Sequence, residues 1–187
     1  MKTYLIALLL SITLPLNTAH AAAIEGITPK ATYDLVQMQR ADVLFIDVRD
    51  PIEIMFIGFT DEVDVNIPYL LVDRNHWDSE RKRFRLYQNP KFAAQVEQAL
   101  FEKGLNKNAT IITMCRSGNE RGLPSAQLLR QHGFPNATYM INGFQGSRLK
   151  NGDKAGFRIQ NGWQNAELPW NPKPNPNKIF RIDSTLN

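Results

Sequence analysis

Thr113-Met-Cys115-Arg-Ser-Gly-Asn-Glu-Arg121-Gly-Leu-Pro-Ser-Ala126 places the single cysteine of the chain between two different kinds of local structure. Before it runs Ile111-Ile-Thr-Met114, a short, continuously apolar segment that reads as a strand buried on both faces. After it, a segment from about Pro124 to His132, closed by Gly133, reads as a helix. The polar loop between them holds Gly118, Arg116 and Arg121. In an open α/β sheet, ligands bind beyond the carboxyl ends of the strands. A loop in that position turns its N–H groups inward beside the positive end of the following helix, which favours an anion and favours thiolate over thiol at Cys115. A lone cysteine is commonly just a small buried hydrophobe. Two arginines within six residues are poor company for an inert buried thiol, so Cys115 is read as a nucleophile.

Working outward, Thr28-Pro29 signals a helix start, with Tyr33, Val36 and Met38 as a partial apolar face up to about Arg40. Val43-Leu-Phe-Ile-Asp47 is a second short apolar run rich in strand formers, and a shorter strand is expected over Val63 to Ile67. A helix capped by Asn89 and opened by Pro90 carries Phe92, Val96, Ala99 and Leu100 and stops at Gly104; Ala137-Thr-Tyr-Met-Ile141 reads as one more strand. Helices and strands alternate, which defines an α/β class. From Asn151 onward, prolines 169, 172, 174 and 176 are spaced among polar residues with Trp163 and Trp170. That composition suits an extended tail over residues 151–187, pinned to the domain by its tryptophans, rather than a second core.

The whole chain has 187 residues, 43% hydrophobic and 21% charged, with a formal net charge of +4. This is the composition of one ordinary globular domain, and the excess charge is too weak to imply nucleic acid. Residues 1–21 have the build of a secretory signal peptide: Lys2, an apolar run from Tyr4 to Leu16, and the small-x-small site Ala19-His20-Ala21. The run contains Pro15 and is shorter than the roughly 20 residues that span a bilayer, so no stable membrane insertion is expected after cleavage. A periplasmic or secreted protein with one cysteine can form no internal disulfide, which returns attention to the use of Cys115. His76 and His132 lack partners at metal-ligand spacing, and there is no glycine-rich nucleotide fingerprint, so neither metal nor organic cofactor is implied.

Cys115-Arg-Ser-Gly118 resembles the active-site loop of the rhodanese family of single-domain sulfurtransferases, and other segments follow in the same order. Leu44-Phe-Ile-Asp-Val-Arg-Asp-Pro-Ile-Glu53 is similar to the early Asp-Val-Arg strand of that family and its acidic turn, and Val65-Asn-Ile-Pro68 to the strand that comes next. Gln131-His-Gly-Phe134 and Met140-Ile-Asn-Gly-Phe-Gln-Gly146 are similar to the family's helix end, last strand and glycine turn. The resemblance implies a rhodanese-like domain over residues 28–150, with a central five-stranded parallel sheet flanked by helices. It also implies a ping-pong reaction in which Cys115 takes sulfur from a small anionic donor such as thiosulfate and passes it, as a persulfide, to a thiol or cyanide-like acceptor. Substrate would be held by Arg116, Ser117, Gly118, Asn119, Glu120 and Arg121, with Asp47 and Arg49 in support.

Three departures qualify this expectation. The usual Gly-His-Ile-Pro-Gly-Ala turn is represented only by Gly58-Phe-Thr60, and the usual tryptophan after the glycine turn is missing at Ser147 to Lys150. More important for chemistry, Glu120 is interposed, so the loop reads Cys115-x5-Arg121. In that length it is similar to the dual-specificity phosphatases and arsenate reductases built on the same fold, whose wider loop cradles a tetrahedral oxyanion. A phosphatase also needs a general acid, for which the carboxylates are Glu120, Asp47, Glu53 and Asp50. A non-catalytic oxyanion- or sulfur-binding module is a third reading. Asp47 and Arg49 are expected to form a partly buried ion pair, and Arg81-Lys-Arg-Phe-Arg85 a solvated face.

Overall fold

The computed structural model describes residues 23–182; the expected signal segment, residues 1–21, lies outside them. Ten elements follow in chain order: α1 (Pro29–Met38), β1 (Val43–Asp47), α2 (Pro51–Ile57), β2 (Val65–Asn66), β3 (Leu70–Asp78), β4 (Arg83–Gln88), α3 (Phe92–Glu102), β5 (Thr110–Met114), α4 (Gly122–Gln131) and β6 (Ala137–Tyr139). The central sheet is parallel throughout, in the order β2-β1-β5-β6. β1 and β5 pair over their full length, from Val43 opposite Thr110 to Asp47 opposite Met114.

Both strands are apolar except at Asp47, Thr110 and Thr113, because both faces are covered. On one face Phe45, Ile112 and Met114 pack with Val36 of α1, Ile54 of α2 and Trp163 of the tail. On the other, Leu44, Ile46 and Ile111 meet Phe92, Val96 and Leu100 of α3 and Leu129 of α4. The spacing of Phe92, Val96 and Leu100 is the one-face period of a helix, and α3 buries those three residues.

The expectation of five parallel strands is corrected to four. Beside β6, where a fifth strand would lie, there is one parallel bridge between Ile27 and Met140. The next residue, Thr28, is already the N-cap of α1, its hydroxyl accepting the Ala31 N–H at 3.2 Å. The chain therefore turns into a helix before a strand can extend. The opposite edge is also covered: Asn66 of β2 donates its N–H to the Lys178 carbonyl at 2.7 Å. The strand expected over Val63 to Ile67 is reduced to Val65–Asn66.

β3 and β4 form a separate antiparallel hairpin, with a register irregularity between Asp73 and Trp77. It places the run Arg81 to Arg85 in its turn and second strand, where all but the half-buried Arg83 are exposed, in keeping with a solvated face. The tail returns along the domain. Trp163 is fully buried between Tyr33 and Phe45, with ring centroids 6.0 Å and 5.7 Å away. Its indole N–H donates to the Pro169 carbonyl at 2.9 Å, and its backbone N–H to Gly143, also at 2.9 Å. The aromatic anchor absent from 147–150 is thus supplied from further along the chain. Beyond it, Asn171 pairs antiparallel with Phe59.

Candidate active site

Cys115 follows the last residue of β5, at the carboxyl edge of the sheet, and α4 begins at Gly122. The seven residues between strand and helix are held from behind. Phe144 donates its backbone N–H to the Cys115 carbonyl at 2.7 Å, and Gln145 donates to Arg116 at 2.9 Å. Two glycines make this approach possible. Gly143, at φ 55°, leaves no room for a Cβ, which would lie 2.3 Å from the Cys115 carbonyl oxygen. Gly118, at φ 89°, faces the same turn, where a Cβ would lie 2.8 Å from the Asn142 nitrogen. The Gly122 carbonyl at the helix start accepts hydrogen bonds from the Thr113 and Ser125 hydroxyls at 3.0 and 2.8 Å.

Within this frame the Cys115 side chain is buried, and its Sγ accepts the Gly118 N–H at 3.1 Å. Arg121 is buried as well, but its guanidinium grips the Glu53 carboxylate of α2 with two bonds, at 2.7 and 3.1 Å. Its Nε remains without a partner. Burial alone would lower the affinity of Arg121 for its proton, but Glu53 more than reverses this and the shift is upward. Burial alone would likewise raise the Glu53 carboxyl, and Arg121 holds it below the usual carboxylate range. Glu53 is presented by the first turn of α2, which Asp50 caps by accepting the Ile52 N–H at 2.9 Å.

The other residues anticipated for the site separate into groups. Arg116, Ser117, Glu120 and Arg121 line a cavity of about 710 Å³, together with Glu53, the hairpin residues Leu70, Val72 and Phe84, and basic side chains of the hairpin and tail. Arg116 is half-buried and donates Nε to Gln145 at 2.9 Å. Asn119 is exposed and, like the buried Cys115 and Gly118, is not among the residues that line the cavity. Glu120 points to the hairpin, where Arg83 holds it at 2.7 Å; that hydrogen bond is the main reason its carboxyl is held below the usual range. The inserted residue therefore ties the loop to the hairpin. As a half-exposed ion pair it contributes about 0–1 kcal/mol, so it orients more than it stabilises.

Asp47 and Arg49 lie outside the cavity lining. The expected partly buried pair is fully buried, with Arg49 Nη2 2.6 Å from Asp47 and 3.0 Å from the Gly58 carbonyl. The guanidinium carbon lies 4.1 Å from the centre of the Phe144 ring. This pair joins the end of β1 to the end of α2 and to the glycine turn behind the loop. It is a positioning unit.

Sequence reasoning did not anticipate the contributions of Phe84, Leu70 and Val72, nor those of Arg148 and Arg158 from the tail. The alternation of Phe84 and Leu86 with Arg83 and Arg85 was a legible strand signal. No local signal marks Arg158, which reaches the outer wall of the cavity only because the tail folds back. Among the described residues no group of three or more His, Cys, Asp or Glu is placed to hold a metal ion.

Comparison with known proteins bears on the fold and on the family. The chain resembles the crystal structure of Rv0390 from M. tuberculosis at a TM-score of 0.56 and 24% identity, covering 79% of this chain and 96% of that one. A rhodanese-related protein from Thermoplasma volcanium matches at a TM-score of 0.43 and 19% identity, covering 79% and 98% of the two chains. The polysulfide-sulfur transferase homodimer of Wolinella succinogenes matches at 0.39 and 24%, covering 65% and 69%. No curated protein sequence matches the chain. The model of the rhodanese-like domain, in contrast, matches residues 28–149, well over half of the sequence. The protein is a member of the rhodanese-like family.

Proposed function

We propose that the protein is a sulfurtransferase in which Cys115 carries a sulfane sulfur from a thiosulfate-like donor to a nucleophilic acceptor. The observation that carries this reading is the setting of the thiol. Its Sγ is met by the Gly118 N–H at 3.1 Å in a cationic loop, while each carboxylate weighed as a general acid is already engaged. Asp47 is paired with Arg49, Glu53 with Arg121 and Glu120 with Arg83, and Asp50 caps α2. Glu53 and Glu120 are both held in their ionised form. Phosphate ester hydrolysis needs a proton for the leaving group, and none of these groups supplies one readily. Sulfur transfer needs no such acid, because sulfite leaves as a stable anion.

In the first half-reaction the Cys115 thiolate attacks the outer sulfur of thiosulfate. A sulfur–sulfur bond forms to Sγ, the bond to the sulfonate sulfur breaks, and sulfite departs with the electron pair. The persulfide carries one negative charge beside the Gly118 N–H, in the field of the Arg121 guanidinium. In the second half the acceptor attacks the outer sulfur of the persulfide and Cys115 leaves as thiolate.

Intact mass after incubation with thiosulfate should show a gain of about one sulfur atom, and p-nitrophenyl phosphate should not be hydrolysed. Hydrolysis of the aryl phosphate without the sulfur adduct would reverse the reading and favour oxyanion chemistry at the seven-residue loop.

The reading extends to location: the protein acts after export, in the periplasm or outside the cell. Its mature form is expected to begin at Ala22, after the Ala19-His20-Ala21 site. N-terminal sequencing of the exported protein checks this; a retained Lys2 would refute it.

A further inference from the structure

Arg116, Arg148 and Arg158 form a cluster that the proposed chemistry does not use. They line the main cavity and also a second, adjoining cavity of about 290 Å³, completed by Gln145, Ala155, Gly156 and Phe157. No carboxylate lines the second cavity. Among the described residues none of the three guanidiniums forms an ion pair, and the acids of the main cavity are occupied elsewhere, as described above.

Two of the arginines are held in place. Arg116 is fixed by Gln145, and Arg158 Nη1 donates to the Gly146 carbonyl. The segment that carries Arg148 and Arg158 is closed by hydrogen bonds from Leu149 to Phe157 at 2.8 Å and from Gly156 to Leu149 at 2.9 Å. Three like charges held together without a counter-ion repel one another. Burial lowers the proton affinity of both Arg116 and Arg158 and the neighbouring guanidiniums add to this, while Glu53 offsets only part of it. The arrangement is relieved by an anion.

We propose that these three arginines are a subsite for the carboxylates of the sulfur acceptor, a small thiol bearing two or more carboxylates. The inference rests on the sulfur-transfer reading. Thiosulfate is compact, with its oxyanion on the atom next to the transferred sulfur, and it needs only the Cys115 loop. Arg148 and Arg158 lie outside that loop, on a second cavity, where they suit the charged end of a longer molecule. Guanidinium forks bind carboxylates through paired, parallel bonds. With its carboxylates held there, the acceptor's thiolate attacks the outer sulfur of the Cys115 persulfide. The new bond joins acceptor sulfur to outer sulfur, the Sγ–S bond breaks, and Cys115 recovers the electron pair. The thiol's own proton has gone to solvent.

The test uses thiosulfate as donor and compares mercaptosuccinate with 2-mercaptoethanol as acceptor, in wild type and in the double variant Arg148→Gln/Arg158→Gln. The variant should lower kcat/KM for mercaptosuccinate about tenfold or more, chiefly through KM, a loss on the scale of one charge-assisted contact. Turnover of 2-mercaptoethanol and persulfide loading should stay within about twofold, and Arg148→Lys/Arg158→Lys should restore part of the loss. Equal losses for both acceptors would overturn the subsite, as would no loss for either. If thiosulfate leaves no persulfide on Cys115, the functional reading fails instead. Calorimetry with tricarballylate then judges the subsite: binding by wild type that the double variant loses upholds it, and equal binding or none overturns it.

Discussion

Cys115→Ser should abolish sulfur transfer, with a loss on the order of 10⁴-fold or more in turnover, while leaving the fold intact. A serine hydroxyl is not ionised near neutral pH and does not form a stable bond to sulfane sulfur, so the covalent intermediate has no substitute. The chain has no second cysteine to take over. The fold should survive because the change is small and the Gly118 N–H that now meets Sγ at 3.1 Å can still donate to a hydroxyl. Intact mass of the thiosulfate-treated variant should show no added sulfur, and its melting temperature should stay close to that of wild type. A sulfur adduct or sustained turnover in the variant would remove Cys115 from the mechanism.

The largest stability effect should come from Trp163→Ala, which should cost about 3–5 kcal/mol, as large aromatic truncations in a core do. The loss would be a substantial share of a total stability of about 5–15 kcal/mol. The fully buried indole fills the space between α1 and β1 and also donates to Pro169. Its removal leaves a void and takes one of two hydrogen bonds from the Pro169 carbonyl, which the Thr60 hydroxyl still meets at 2.8 Å. Urea unfolding should show a markedly lower midpoint, and Trp163→Phe should recover most of the packing but not the hydrogen bond. Because the same residue's backbone meets Gly143 behind the Cys115 loop, transfer by the alanine variant should fall below wild type even under conditions where it remains folded. A midpoint indistinguishable from wild type would mean that the tail is not part of the core.

The parts of the molecule that were legible in sequence are those where local pattern and tertiary role coincide. β1 and β5 read as continuous apolar runs because they are buried on both faces, and Phe92, Val96 and Leu100 mark the inner face of α3. The Cys115 loop was legible because its chemistry, its glycine and its place between strand and helix all lie in one segment. The hairpin was not, because its charged residues suggested solvent and its pairing partner is a neighbouring segment with weak alternation. The grip of Arg121 on Glu53 was also beyond reach. Both residues were recognised as chemically notable, but their contact spans 68 positions and depends on where α2 crosses the loop. The same holds for Arg158, whose neighbours in the chain carry no hint of the cavity it lines.

Both margins of the central sheet are sealed by the ends of the chain, with Ile27 against Met140 at one side and Lys178 against Asn66 at the other. A chain delivered amino end first cannot complete either seal early: one waits for residue 140 and the other for residue 178. Ile27 is already present when β6 arrives, but until residue 178 follows, the backbone rim of β2 remains an open template for another chain, the hazard that exposed strand edges carry. The order of emergence therefore sets a window of vulnerability during folding that closes only when residue 178 has arrived. The proline-spaced tail, beyond holding Trp163 and Arg158 in place, acts as the final fastening against self-association.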